Sequence, residues 1–162
     1  MKLSSKKPIV LFDIDYTLFD TALFKQSGLS MHKIYAEVTQ TLDGLNNFAT
    51  LGIFSKGETQ FQKTKLEKTG MAKFFKEENV HIFDNKDANL IKIIDRYKGL
   101  KIFIIDDKLE ILYSAKMYMD QLFTIWVKRG WYAENQKAIP DFIPDAEVEN
   151  LSDVVRIVKS NV

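Results

Sequence analysis

Cysteine is absent from the 162-residue chain. Disulfides, thiolate metal sites and cysteine nucleophiles are thereby excluded, and a reducing, cytoplasmic compartment is the expected setting. Arginine is scarce, three against twenty lysines, and the basic side chains are interleaved with 22 acids to leave a net charge of +1. No basic stripe results, so no nucleic-acid surface is expected. The two histidines, His32 and His81, are not read as catalytic. No apolar run approaches the ~20 residues that span a bilayer, so no membrane association is expected. The basic start Met1–Lys7 leads into apolar residues, but Asp13 interrupts them far short of a signal-peptide core. Low-complexity tracts are missing too. What remains is 46% hydrophobic and 28% charged, and residues 1–162 are expected to form one globular domain.

Five short apolar runs punctuate the chain, at Ile9–Phe12, Ala49–Phe54, Val80–Phe83, Lys101–Ile105 and Phe123–Val127. Their unbroken hydrophobicity predicts strands buried on both faces. Helical patterns fill the intervals. Ser30 is placed to cap a helix with Ile34, Val38, Leu42 and Leu45 on one face. Gly70 closes a mostly polar helix carrying Phe61 and Leu66, and Gly99 closes one carrying Leu90, Ile91, Ile94 and Tyr97. "LEILYSAKMYM" is a further helix, and Ser152 is expected to cap a last one with Val154, Val155 and Val158. Strands alternating with helices imply an α/β architecture, a parallel sheet with helices on both faces. Ligands in such sheets collect at the carboxyl ends of the strands.

Polar chemistry gathers at that edge. Asp13, Asp15 and Thr17 follow the first strand, Ser55 the second, and Asp106 and Asp107 the fourth. Carboxylates so crowded repel one another unless a cation sits among them. With only oxygen donors on offer, Mg²⁺ is the expected ion. A hydroxyl and a lysine nearby suit a transferring phosphoryl group, which needs hydrogen-bond donors and positive charge.

"FDIDYTLFD" matches the D-x-D-x-T signature of the haloacid dehalogenase superfamily of phosphatases and phosphotransferases. "LGIFSKG", "NKDANLIKII" and "IFIIDDKLEILYSAK" resemble its second, third and fourth motifs in order, and the resemblance runs from about Ile9 to Val127. It implies a Rossmann-like three-layer sandwich with a five-stranded parallel sheet in the order 5-4-1-2-3. It also implies a Mg²⁺-dependent phosphomonoester hydrolase in which Asp13 is the nucleophile and forms an aspartyl-phosphate. Asp15 would be the general acid and base, with its carbonyl on the metal; Ser55, Thr17 and Lys86 would hold the phosphoryl group. Lys56, Lys63 and Lys65 are rivals to Lys86. Asp106 and Asp107 would complete the metal site with Asp13 and Asp15, Asp107 preferred as the main ligand and Glu110 a lesser candidate.

Two features depart from the family pattern. The fourth motif is irregular, with Ile111 where an acid is usual, and Tyr16 stands where the family very often has Gly. Neither Leu18–Thr50 nor the stretch between the third and fourth strands has room for a cap domain. An open site implies a bulky phosphorylated substrate, a partner subunit acting as lid, or short loops that suffice. Tyr16, Arg129, Trp131 and Tyr132 are the candidate substrate rim, the last three on the loop after the fifth strand. The alternatives are a phosphotransferase or a non-enzymatic scaffold on the same fold. A dehalogenase would use Asp13 but has no need of Asp15.

Overall fold

The computed structural model describes residues 6–162; Met1–Ser5, most of the basic start, lie outside the described residues. In chain order the elements are β1 (Ile9–Phe12), α1 (Thr21–Gln26), α2 (Val38–Asn46), β2 (Thr50–Lys56), α3 (Thr59–Lys68), β3 (Val80–Phe83) and α4 (Lys86–Arg96). There follow β4 (Ile102–Asp106), α5 (Leu109–Tyr118), β5 (Phe123–Val127), α6 (Trp131–Asn135), β6 (Ala146–Val148) and α7 (Val154–Ser160). All strand pairs are parallel, in the order β3-β2-β1-β4-β5-β6.

The first five strands stand in the expected order, but the sheet has six strands, not five. The addition, β6, is three residues long and has no apolar run to announce it. It is held by side chains remote in sequence: Asp145 accepts from the Thr124 N–H at 2.8 Å and from its hydroxyl at 3.0 Å, and pairs with Lys116.

Central β1 is fully buried and shows why continuous apolar strands were the right signal. Val10 and Phe12 face a core covered by α2, α3 and α7; Ile9 and Leu11 face a second core covered by α4 and α5. Both faces are thus roofed by helices.

Two helix starts differ from expectation. The helix assigned to Ser30 begins only at Val38. The preceding residues pair instead with the turn after β1, through the Phe19–Ile34 bridge and hydrogen bonds from Asp20 N–H to Lys33 O at 2.9 Å and Tyr35 N–H to Leu18 O at 3.2 Å. A tertiary pairing has overridden a helical pattern. At the other end Asn150, not Ser152, supplies the capping oxygen, accepting from the Ser152 N–H in a 3₁₀ turn ahead of α7. The interval between β1 and β2 also holds two helices, not one. Among the described residues no helix is long and apolar enough to cross a membrane.

Candidate active site

In-register pairing brings the acids together. Phe12 is level with Ile105 of β4 and Ile53 of β2, so the residues that follow, Asp13, Asp106 and Phe54, emerge side by side. The Asp13 N–H continues the ladder to Ile105 O at 3.0 Å. Lys86, the first residue of α4, reaches over from β3. Its ammonium donates to Asp13 Oδ1 at 3.1 Å and to Asp106 Oδ2 at 2.5 Å, with all three side chains buried. Burial works to lower the Lys86 pKa, but Asp106 and Asp13 outweigh it and hold the amine charged.

Asp106 is fully engaged, its second oxygen accepting from the Lys108 N–H at 2.9 Å. Asp107 is not. Its backbone carbonyl accepts from Trp126 and Gln136, but neither buried carboxylate oxygen has a hydrogen-bond donor among the described residues. One oxygen each from Asp13, Asp106 and Asp107 lie within 4.8 Å of one another. Burial, then the charges of Asp13 and Asp106, push the Asp107 carboxyl up to about 10; burial pushes Asp13 up to about 6 against the pull of Lys86. A buried carboxylate without donors is costly unless a cation completes it. With all four acids ionised, as around a bound cation, Lys65 and Lys86 alone among the described residues pair with them, leaving the charge of one divalent ion to be supplied. A hard cation such as Mg²⁺ fits this oxygen-only set, with Asp107 and Asp13 as the carboxylates open to it. Glu110 is exposed on α5 and outside the cluster.

Asp15 stands apart from that cluster, with its side chain about 30% exposed. Three donors fix it: Lys65 Nζ at 2.8 Å, Thr21 Oγ1 at 3.0 Å and Gln62 Nε2 at 3.0 Å. The same Gln62 amide reaches Ser55 Oγ at 3.0 Å. Ser55 and Thr17 are fully buried, and the Thr17 hydroxyl has no partner among the described residues. Of the lysine rivals, Lys86 joins the acids, Lys63 pairs with Glu77 on the surface, and Lys56 is exposed. Lys65 joins the site at Asp15. It is a buried lysine enclosed by the rings of Phe19, Phe24 and Phe61, its nitrogen 4.8–5.3 Å from their centroids. The available signal was its helical register: Gln62, Lys65 and Leu66 share the inward face of α3.

The rim needs correction. Arg129 is not free for a substrate, because its guanidinium donates to the carbonyls of Tyr16 (3.2 Å) and Thr17, pairs with Glu37, and lies 3.5 Å from the Tyr35 ring centroid. It braces the turn that carries Asp13 and Asp15. Tyr16 sits in that turn at φ 62°, the left-handed region where glycine is favoured, and its ring packs on Gly130. Tyr132 lines the cavity beside Tyr16, whereas Trp131 is 57% exposed and lines an adjoining hollow with Tyr16, Lys25 and Tyr132.

The cavity itself measures about 330 Å³ and opens over Asp13, Asp15 and Asp107. Phe24 and Lys25 of α1 and Leu29 in the turn after it form one wall. His81, remote from it, is bonded to the Tyr97 hydroxyl, and burial followed by Arg96 lowers its pKa to about 4.

No protein-family model matches this sequence, and no curated protein matches it either. Solved structures do. One assigned as a haloacid dehalogenase-like hydrolase from Burkholderia xenovorans LB400 superposes with a TM-score of 0.81 at 22% identity, over 96% of this chain and 99% of that one. The HAD-hydrolase YfnB from Bacillus subtilis, bound to magnesium, gives 0.71 at 15% identity over 95% and 99% of the two chains. A predicted phosphoglycolate phosphatase from Haemophilus somnus 129PT gives 0.69 at 14% identity over 96% and 99%. The fold is that of haloacid dehalogenase-like hydrolases.

Proposed function

We propose that this haloacid dehalogenase-like chain is a Mg²⁺-dependent phosphomonoesterase working through an aspartyl-phosphate on Asp13. The observation that carries the reading is Asp107, a buried carboxylate without donors beside a second buried carboxylate in the floor of a cavity. The magnesium-bound relative and the phosphatase among the similar structures point the same way. When bound, the cation neutralises the acids and draws charge from the phosphoryl oxygens.

The chain's own residues do the rest. An oxygen of Asp13 attacks phosphorus as the bond to the ester oxygen breaks, and Lys86, bonded to Asp13, offsets negative charge on the phosphorylated aspartate. Asp15, facing the same cavity, delivers a proton to the departing oxygen and takes one from the water that then cleaves the acyl-phosphate. Gln62 ties the position of Asp15 to that of Ser55, so the proton donor and the hydroxyl at the end of β2 keep one geometry. Ser55 and Thr17, the hydroxyls assigned to the phosphoryl group, are buried behind the cavity lining, and Asp106 anchors Lys86.

Hydrolysis of p-nitrophenyl phosphate with and without Mg²⁺ tests the reading. Asp13→Asn should lose turnover by more than about 10³-fold while the protein stays folded. Retained turnover in Asp13→Asn, or metal-independent release of halide from 2-haloacids by the parent, would replace it with another chemistry on the same fold.

A further inference from the structure

The walls of the cavity carry more positive charge than a phosphoryl group uses. Lys25, Lys56 and Lys108 all line it, and among the described residues none has a carboxylate within 4.0 Å, whereas Lys63, Lys116 and Lys128 elsewhere do pair with acids. Aromatic faces hold two of them in place of acids. Lys25 Nζ lies 5.8 Å from the Tyr16 ring centroid and Lys108 Nζ 4.4 Å from that of Tyr132. Among the described residues the only acids in the lining are Asp13, Asp15 and Asp107.

A charge count over the site then points to the ligand. The four site acids are balanced by Lys65, Lys86 and a divalent cation. A phosphomonoester dianion entering this neutral centre meets three further lysines and leaves one positive charge unmatched. Lys108, next in sequence to Asp107, belongs with the phosphoryl group. Lys25 and Lys56 stand on α1 and at the end of β2, out where the leaving group must lie, and Phe24, Leu29 and Phe61 give that end an apolar wall.

Resting on the phosphomonoesterase reading, we infer that the cavity selects small phosphomonoesters whose leaving group bears a second anionic group, a carboxylate or another phosphate, received by Lys25 and Lys56. A volume of about 330 Å³ accommodates a ligand of metabolite size. The bulky substrate anticipated for an uncapped site is the competing reading.

Two isosteric phosphonates, 4-carboxybenzylphosphonate and 4-carbamoylbenzylphosphonate, isolate the second charge. Calorimetric titration of the Mg²⁺-loaded protein at low ionic strength should show the carboxylate bound about five- to tenfold tighter, with the preference shrinking as salt is raised. In Lys25→Gln/Lys56→Gln the preference should fall below twofold; both side chains are exposed, so the core is untouched. Equal binding of the two by the parent, or a preference that survives in the double variant, overturns the inference. The corresponding phenyl phosphates separate this failure from the other. Hydrolysis of both with equal kcat/KM removes the selectivity alone, whereas hydrolysis of neither removes the phosphatase reading and the selectivity with it.

Discussion

Asp107 concentrates the cost of the site in one residue. Its carboxyl, raised by burial and by Asp13 and Asp106 from 3.8 to about 10, holds a proton in the metal-free folded protein that the unfolded chain releases. The folded state therefore binds more protons than the unfolded one between those values, and stability falls as pH rises through that window. Asp13, raised to about 6, adds to the fall at its lower end. Thermal denaturation in a chelating buffer should show the metal-free protein losing stability from pH 5 to pH 8. Asp107→Asn should flatten that slope and raise Tm at pH 8 by about 5 °C or more. A parent-like slope in the variant would mean that Asp107 is not the group responsible. Mg²⁺ should bind more tightly as pH rises, since it displaces those protons, and calorimetry in buffers of different ionisation enthalpy reads their number.

Lys65 is the residue-scale counterpart beside Asp15, the proposed proton donor. Its charge is spent on Asp15, and its methylenes on three phenylalanine rings. Lys65→Met keeps the packing and loses the charge. Because Asp15 is partly exposed and keeps Gln62 and Thr21, Tm should move by only a few degrees while kcat falls about 10- to 100-fold from misplacement of the carboxyl. A large loss of Tm with parent-like kcat would make Lys65 a core residue only.

At the scale of elements, the turn after β1 and the loop after β5 lock each other. A methyl group on Gly130 would lie 2.2 Å from Tyr16 Cδ1, and Gly130 itself adopts φ 83°. The irregularity at Tyr16, where the family pattern has Gly, is thus answered by a glycine more than a hundred residues away. Gly130→Ala should destabilise the parent by about 2–4 kcal/mol. On a Tyr16→Gly background the steric part disappears, so a double-mutant cycle measured by denaturant unfolding should give a coupling above about 1 kcal/mol. Additive effects would show that the two loops do not interlock. Arg129 serves the same junction by binding the carbonyls of Tyr16 and Thr17. Sequence inspection could see a charged loop at the correct edge of the sheet, but not that its arginine turns inward.

At the scale of the molecule, one sheet is shared by two cores. Leu42 lies in the core beneath α2 and α7, Leu112 in the core beneath α5, and both are fully buried. Alternate residues of β1 face the two cores, so loss of either should be felt by the whole sheet. Leu42→Ala and Leu112→Ala should each cost about 2–5 kcal/mol within a single transition. Far-ultraviolet and aromatic circular dichroism should unfold together in both variants; separated transitions would show two independent cores.

The ordered alternation of apolar runs and helices was enough to specify a parallel sheet, because a strand buried on both faces leaves no other reading of Ile9–Phe12 or Ile102–Ile105. It also placed Asp13, Asp15, Asp106 and Asp107 at one edge, since parallel strands all end on the same side. The short strand β6 and the strap before α2 were beyond it. Ala146–Val148 is paired because Asp145 finds Thr124 and Lys116, and Ile34 leaves its helical pattern because Phe19 offers a partner; neither neighbour is near in the chain. The same limit divided the acids. Adjacent carboxylates at 106 and 107 look alike in sequence, and only the folded chain gives Asp106 to Lys86 and leaves Asp107 without a donor. Periodicity and strand ends are local properties and are written in the order of residues, whereas hydrogen-bond partners and enclosure belong to segments that meet only when the sheet has formed.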